Sequence, residues 1–142
     1  MKIKRADSND YSEIMKVWES SVKATHHFLK TEDFEYYKRI IAAEFFPKVN
    51  LYILFAGKKI IGFMGVSGEN LEMLFIEKDS IGKGYGKKLL QYAIENLNVK
   101  RVDVNEQNKQ ALGFYEKSGF KITGRSEKDS MNKDYPVLHL SL

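Results

Sequence analysis

The sequence predicts an α/β (α+β) fold: a mixed central sheet containing an antiparallel meander and a parallel strand pair, with about four helices. Three observations carry this expectation. Between Leu51 and Ile76, three strand-length apolar runs follow one another through short glycine turns, and consecutive strands joined this way form a meander. A helical stretch over Lys88 to Asn96 then separates Leu71–Ile76 from the strand-like run Arg101–Asn105, a crossover that makes its two strands parallel. Finally, apolar residues recur at helical spacing in four segments. The 142 residues suit one sizeable core. With no linker, repeat or low-complexity tract in view, a single domain over residues 1–142 is expected.

Taken in order, Lys2 to Ala6 reads as a short strand, and Asp7-Ser8-Asn9-Asp10 supplies helix-capping side chains. Ile14, Val17 and Trp18 set an amphipathic helix over roughly Tyr11 to Ser21. The segment Lys23 to Lys30, which holds His26 and His27, breaks the period and reads as a loop. Thr31 is expected to cap a second helix with Glu32 and Asp33 in its first turn, where the helix dipole favours acids. Phe34, Tyr37, Ile41 and Phe45 give its apolar stripe, and Pro47 ends it. The meander follows as Leu51–Ala56, Ile60–Ser67 and Leu71–Ile76, turning at Gly57-Lys58-Lys59 and Gly68-Glu69-Asn70. Leu89, Leu90, Ala93, Ile94 and Leu97 mark the third helix; Asn108 to Ser118 is the fourth, with Gly119 as its C-terminal breaker. Phe120–Glu127 and Val137–Leu142 are closing strands around a turn at Asp129 to Asp134.

Composition narrows the function classes. Hydrophobic residues at 43 % and charged residues at 30 % are ordinary for a globular protein. No apolar run reaches the roughly 20 residues of a membrane helix, and Met1 to Arg5 lacks the apolar stretch of a secretory signal. A cytoplasmic protein without a membrane partner is expected. Cysteine is absent, which removes disulfides, a thiolate nucleophile and thiolate metal ligation; no metal is expected. The net charge of +4 is scattered rather than gathered in a basic block interleaved with aromatics, so no nucleic-acid partner is expected.

The stretch richest in chemistry is Gly82-Lys83-Gly84-Tyr85-Gly86-Lys87, between the strand ending at Ile76 and the third helix. Helix N-terminal amides have no partner within the helix, and the dipole favours an anion there. Glycines let the backbone approach a phosphate closely. A phosphate or pyrophosphate held by main chain is the reading. It is not a P-loop, because Lys88 stands where a magnesium-binding hydroxyl is required. The dinucleotide pattern finds Lys87 in place of its last glycine, although Asp103 lies near where a ribose-binding acid belongs. Asn108, Ala111 and Tyr115 share a helical face by their spacings of three and four. That helix follows a strand parallel to the one feeding the loop. Asn105, Asn108 and Tyr115 are therefore expected at the same sheet edge as the phosphate site.

The run Gly82 to Leu90, followed by Asn105-Glu106-Gln107-Asn108 through Gly119-Phe120, resembles the GNAT N-acetyltransferase superfamily, as does the order of elements over the whole chain. Ser21-Val22-x-Ala24-Thr25-His26-x-Phe28-Leu29 and Tyr135-Pro136-Val137-Leu138-His139-Leu140 look like a bacterial subgroup of small acetyltransferases. The resemblance implies acetyl-coenzyme A as acyl donor and a primary amine as acceptor, either a small molecule or a protein lysine or N-terminus. It implies that Gly82, Gly84, Gly86 and their neighbours Ile81, Lys83, Tyr85 and Lys87 hold the pyrophosphate. It implies that Leu74, Phe75 and Ile76 pair with the pantetheine arm where a bulge splays the parallel strands. Asn108 matches the asparagine beside the cofactor, and Tyr115 the tyrosine that protonates the leaving thiolate. Ile81 departs from the family's usual Gln or Arg, with weaker phosphate affinity expected at most.

For the chemistry, a main-chain amide near Leu74 or Phe75 is placed to stabilise the tetrahedral oxyanion. Glu72 and His26 compete as the base that takes the amine's proton. Two other classes stay in view: a non-catalytic acyl-coenzyme A sensing module, and a dinucleotide-binding oxidoreductase. The meander and the Asn105–Phe120 run argue against the latter. A monomer, or a homodimer through an exposed end strand, is expected.

Overall fold

The computed structural model describes residues 1–142. The chain opens with β1 (Lys2–Arg5). A short turn follows in which the Asp7 carboxylate accepts from the Asn9 amide at 2.8 Å and the Asp10 carboxylate accepts from the Asp7 amide at 3.0 Å. This reciprocal cap leads into α1 (Tyr11–Thr25). The helix runs four residues past Ser21, into what the sequence suggests is a loop. Ile14, Val17, Trp18, Ser21 and Val22 form one buried face, so the apolar period continues through Val22 and only His26 leaves it.

The second helix, α2 (Thr31–Ile40), starts at Thr31 instead of being capped by it; Lys30, in extended conformation, holds the cap position without a side-chain bond. A π-helical turn, Ile41–Phe45, and a tight turn at Phe46–Lys48 carrying Pro47 follow. The wide turn sets Ile41 and Phe46 five residues apart on the buried side, and Phe45, expected on the stripe, is only partly covered.

The meander is β2 (Asn50–Ala56), β3 (Lys59–Ser67) and β4 (Asn70–Ile76). After it come α3 (Tyr85–Asn96), β5 (Arg101–Asn105), α4 (Lys109–Lys117), β6 (Lys121–Ser126) and β7 (Val137–Ser141). All seven strands join one sheet in the order β1-β2-β3-β4-β5-β7-β6. Only β4 and β5 are parallel, as the crossover rule requires. No helix is long and apolar enough to cross a membrane.

Two features of β4 position the site. Its register against β3 slips: Gly65 faces Met73 and Val66 faces Leu71, leaving Glu72 as an extra, bulged residue. Its pairing with β5 covers only Asn70 with Arg101 and Leu71 with Val102. The parallel strands therefore part at the bulge, and the β5-facing edge of Met73–Ile76 is left without a strand. One core, with Leu89, Leu90, Ala93, Tyr115 and Phe120, lies between the sheet and α3 and α4. A second, with Ile14, Trp18, Phe34 and Phe63, lies between the sheet and α1 and α2.

Candidate active site

Three cavities meet at the parted strands. A groove of about 490 Å³ runs along Leu74, Phe75 and Ile76 to the glycine loop. It is lined there by Ser80, Ile81, Gly82, Gly84, Gly86 and Lys87, and on the α4 side by Asn108, Ala111, Phe114 and Tyr115. A second cavity of about 480 Å³ lies on the α1–α2 side, among Phe28, Tyr37, Phe45, Glu72, Met73, Asn105, Asp129, Met131 and Tyr135. A narrow wedge of about 110 Å³ joins them between β4 and β5. His26 and Phe75 line all three.

The glycine loop is shaped for an anion. Gly82 and Gly84 sit at φ +81° and +87°, a left-handed conformation that other residues rarely adopt, and a Cβ on either would project into open space. Gly84 is the residue before α3, which begins at Tyr85, three positions earlier than the sequence suggests. The first bond of the helix ladder is Lys88 N–H to the Gly84 carbonyl at 3.2 Å. The amides of Tyr85, Gly86 and Lys87 thus precede that ladder, at the positive end of the helix dipole. Ile81, in extended conformation, lines the groove; Lys83 is exposed, and Tyr85 packs against the core. The loop is tethered by the Lys78 amide donating to Ser20 Oγ at 2.9 Å and by Ser80 Oγ donating to Glu77 at 2.7 Å.

Asn108 caps α4: its side-chain oxygen accepts from the Ala111 amide at 3.2 Å. The residue lines both the groove and the wedge. Asn105 takes a different place from the one expected. Its side chain accepts from the Gln107 amide at 2.9 Å, and it lines the α1–α2 cavity and the wedge rather than the groove beside the glycine loop. The two adjacent aromatics of α4 take different places. Phe114 is partly exposed and lies against Gly86, whereas Tyr115 is 7 % exposed within the core. Yet no buried side-chain nitrogen or oxygen lacks a partner, and the Tyr115 hydroxyl has none within the protein. Its tip therefore opens onto the groove and wedge that Tyr115 lines. Burial raises the phenol well above its ordinary pKa, so it stays protonated.

The two candidate bases differ. Burial, with the charge of His27 second, pushes His26 down to about 4; it is neutral near pH 7 and a poor proton acceptor from an amine. Glu72, on the bulge, lines the α1–α2 cavity and the wedge. It is raised above the usual carboxylate range by partial burial first and then by the Asp103 carboxylate, which is the direction a base working near neutral pH needs. Asp103 is held by His139 Nδ1 at 2.7 Å, and Ser126 Oγ lies 2.7 Å from His139 Nε2.

Sequence reasoning missed two contributors. The turn at Asp129–Asp134 is expected only to join strands, but Asp129, Ser130, Met131 and Tyr135 wall the α1–α2 cavity. The Tyr37 hydroxyl donates to Asp129 and that of Tyr135 to Asp33, fastening this segment over α2. No local pattern reveals such pairs, which lie 92 and 102 residues apart. Ser21 and Thr25 also line the groove; extending the α1 period by one turn would have found them.

A strand parted from its parallel neighbour, a glycine-gated helix start beside it and a tyrosine across the gap define an acyl-coenzyme A acyltransferase arrangement. The chain belongs to the acetyltransferase (GNAT) domain family, whose pattern matches residues 13–132, and it is an N-acetyltransferase of that family. It is 39 % identical over 140 residues to the peptidyl-lysine N-acetyltransferase YjaB of Escherichia coli, covering 98 % of this chain and 95 % of that one. The solution structure of apo YjaB from Escherichia coli superimposes with a TM-score of 0.88 at 38 % identity, over 99 % of this chain and 95 % of that one. The PaiA N-acetyltransferase of Thermoplasma acidophilum, crystallised with coenzyme A, shares the fold at a TM-score of 0.76 and 20 % identity, over 99 % and 98 % of the two chains.

Proposed function

We propose that this N-acetyltransferase moves an acetyl group directly from acetyl-coenzyme A to the ε-amine of a lysine within a peptide or protein. The observation that carries the reading is the meeting of two cavities of similar size, about 490 and 480 Å³, through the wedge between β4 and β5. One is suited to the cofactor. The other is suited to an acceptor that must reach the thioester from the opposite side. The Glu72 carboxylate and the aromatics Phe28, Phe45 and Tyr135 line the latter, with Asp129, whose oxygens already accept from Tyr37 and the Met131 and Lys133 amides, and Lys48 beside them; Glu72 and the aromatic walls suit an amine on an aliphatic stem. The relatives named for peptidyl-lysine acetylation add weight.

In this mechanism Gly82, Gly84 and the amides of Tyr85, Gly86 and Lys87 bind the pyrophosphate, with Ile81 and Lys83 flanking it. Asn108 donates to the arm beside them. The unpaired edge of Leu74, Phe75 and Ile76 bonds the pantetheine amides as an added strand would. A lysine amine, with an ordinary pKa of ~10.4, first gives a proton to Glu72, directly or through water. Its lone pair then attacks the thioester carbon, and the carbonyl oxygen becomes an oxyanion stabilised by a β4 amide. The intermediate's new ammonium gives its second proton to water, and collapse then breaks the carbon–sulfur bond. Tyr115 donates a hydrogen bond to the departing sulfur. Full transfer of its proton to a thiolate of pKa ~8.5 is uphill by about 2 kcal/mol even at the ordinary phenol value, and burial raises that further. The final proton on sulfur is therefore replaced from solvent. The products are an N-acetyl-lysine amide and coenzyme A.

The test is acetyl-coenzyme A with capped lysine peptides, free lysine and simple alkyl amines, with acetylation mapped by tandem mass spectrometry. Acetyl on the ε-amine of the peptides, at higher kcat/KM than on the simple amines, is expected. Turnover restricted to small amines would overturn the acceptor assignment.

A further inference from the structure

His26 sits where all three cavities meet, yet its environment makes it a poor base. What it does instead follows from counting protons. The Thr25 hydroxyl lies 2.8 Å from the Ser21 carbonyl. A carbonyl only accepts, so the single hydroxyl proton of Thr25 is spent there. The same oxygen lies 2.7 Å from His26 Nδ1. With its proton engaged, Thr25 Oγ1 accepts in this second bond, and Nδ1 carries the imidazole proton. A neutral ring then has a bare lone pair on Nε2. Nε2 has no partner within the protein, and no buried side-chain nitrogen or oxygen is left unpaired. That lone pair therefore opens onto the cavities. Phe28 and Phe75 pack beside the ring, with centroids at 5.3 and 6.2 Å.

We propose that Thr25 locks His26 in the Nδ1–H tautomer so that the Nε2 lone pair accepts a hydrogen bond from the attacking amine, turning the amine lone pair toward the thioester. Thr25 is a positioning residue, and His26 touches the acceptor. The inference rests on the amine-acetylation reading above and deepens it. An acceptor at this place favours a substrate that keeps an N–H after losing its first proton, which a primary amine does. The carboxylate on the bulge takes the proton; the imidazole sets direction. No bond to His26 forms or breaks.

The structural half of the proposal is testable without any turnover. Nitrogen-15 NMR of imidazole-labelled protein reports which ring nitrogen bears the proton. The chain has three histidines, and His26→Gln assigns the signal. In the unsubstituted protein His26 is expected as the Nδ1–H form; in Thr25→Val it should shift toward Nε2–H, and in Thr25→Ser it should stay. Kinetics with a capped lysine peptide supply the other half. Thr25→Val is expected to lower kcat/KM for the peptide about tenfold, by more than any change in the dissociation constant of acetyl-coenzyme A, and Thr25→Ser should restore activity. An Nε2–H tautomer in the unsubstituted protein overturns the proposal, as does unaltered peptide kinetics in Thr25→Val. A loss confined to acetyl-coenzyme A affinity also overturns it, since Nε2 would then serve the pantetheine arm. Absence of acetyl transfer to any amine contradicts the functional reading instead, and the NMR result stands apart from that.

Discussion

Replacing His26 by Gln should flatten the dependence of stability on pH between about pH 7 and pH 5. The folded protein holds His26 at about 4 against an ordinary 6.5, through burial first and His27 second. Its charged form is therefore disfavoured only in the folded state. Between those two values the unfolded chain binds more protons than the folded one, so stability falls as pH drops through 6.5 and levels out near 4. Linkage with these values gives a loss of about 2 kcal/mol from pH 7 to pH 5 at full effect, trimmed to about 1–2 kcal/mol because the ring is partly exposed. For a chain of this length that is about 3–6 °C in melting temperature. The window isolates His26 from carboxylates held low by their partners, such as Glu19 beside Lys23 and Glu69 beside Lys100, which lose stability only below the usual carboxylate range. Glu72, raised by burial and Asp103, acts in the opposite sense but is present in both proteins. Urea melts at several pH values, analysed as the difference between the parent and His26→Gln, read the effect. Parallel curves across the window would refute a desolvated His26.

Three further outcomes are expected. Tyr115→Phe removes the hydrogen bond to the departing sulfur and should lower kcat by roughly 10–100-fold, the scale of a hydrogen bond to a charged group, leaving acetyl-coenzyme A affinity nearly unchanged; wild-type kcat with chemistry rate-limiting would remove Tyr115 from the mechanism. Gly84→Glu places a side chain where φ is +87° and a charge at the anion site, so the melting-temperature rise produced by coenzyme A should vanish; an undiminished rise would sink the loop assignment. If Glu72 is the base, Asp103→Asn should move the acidic limb of kcat, measured at saturating substrates, to lower pH, because removing a neighbouring negative charge lowers a carboxyl pKa. Burial being the larger cause, the limb should stay above the ordinary carboxylate value; an unmoved limb would show that another group limits the rate.

The sheet and its connections were legible because each rests on a local signal: glycine turns in the meander, the crossover between Ile76 and Arg101, and helical spacing around Leu89 and Tyr115. Errors fell where propensity and packing disagree. His26 follows directly on α1 because Ser21 and Val22 are buried against the sheet, information the segment Lys23–Lys30 does not carry. The π-helical turn after Ile40 exchanges Phe45 for Phe46 in the core, and no simple period anticipates an extra residue per turn. The glycine loop from Gly82 to Lys87, proposed above as the cofactor side, is contiguous in sequence and so its geometry was readable from spacing. The acceptor side was not, because Asp129 and Tyr135 reach it through long-range bonds to Tyr37 and Asp33.

Direct transfer is the central claim, and intact-mass measurement tests it most directly. The protein incubated with acetyl-coenzyme A alone should keep its mass, since the chain has no cysteine to carry an acyl group and the proposed reading has both substrates meet at the wedge where the two cavities join. Adding a capped lysine peptide should then yield acetylated peptide and free coenzyme A in equal amounts. A stoichiometric acetyl-protein that passes its acetyl group to the peptide after excess donor is removed would contradict the account.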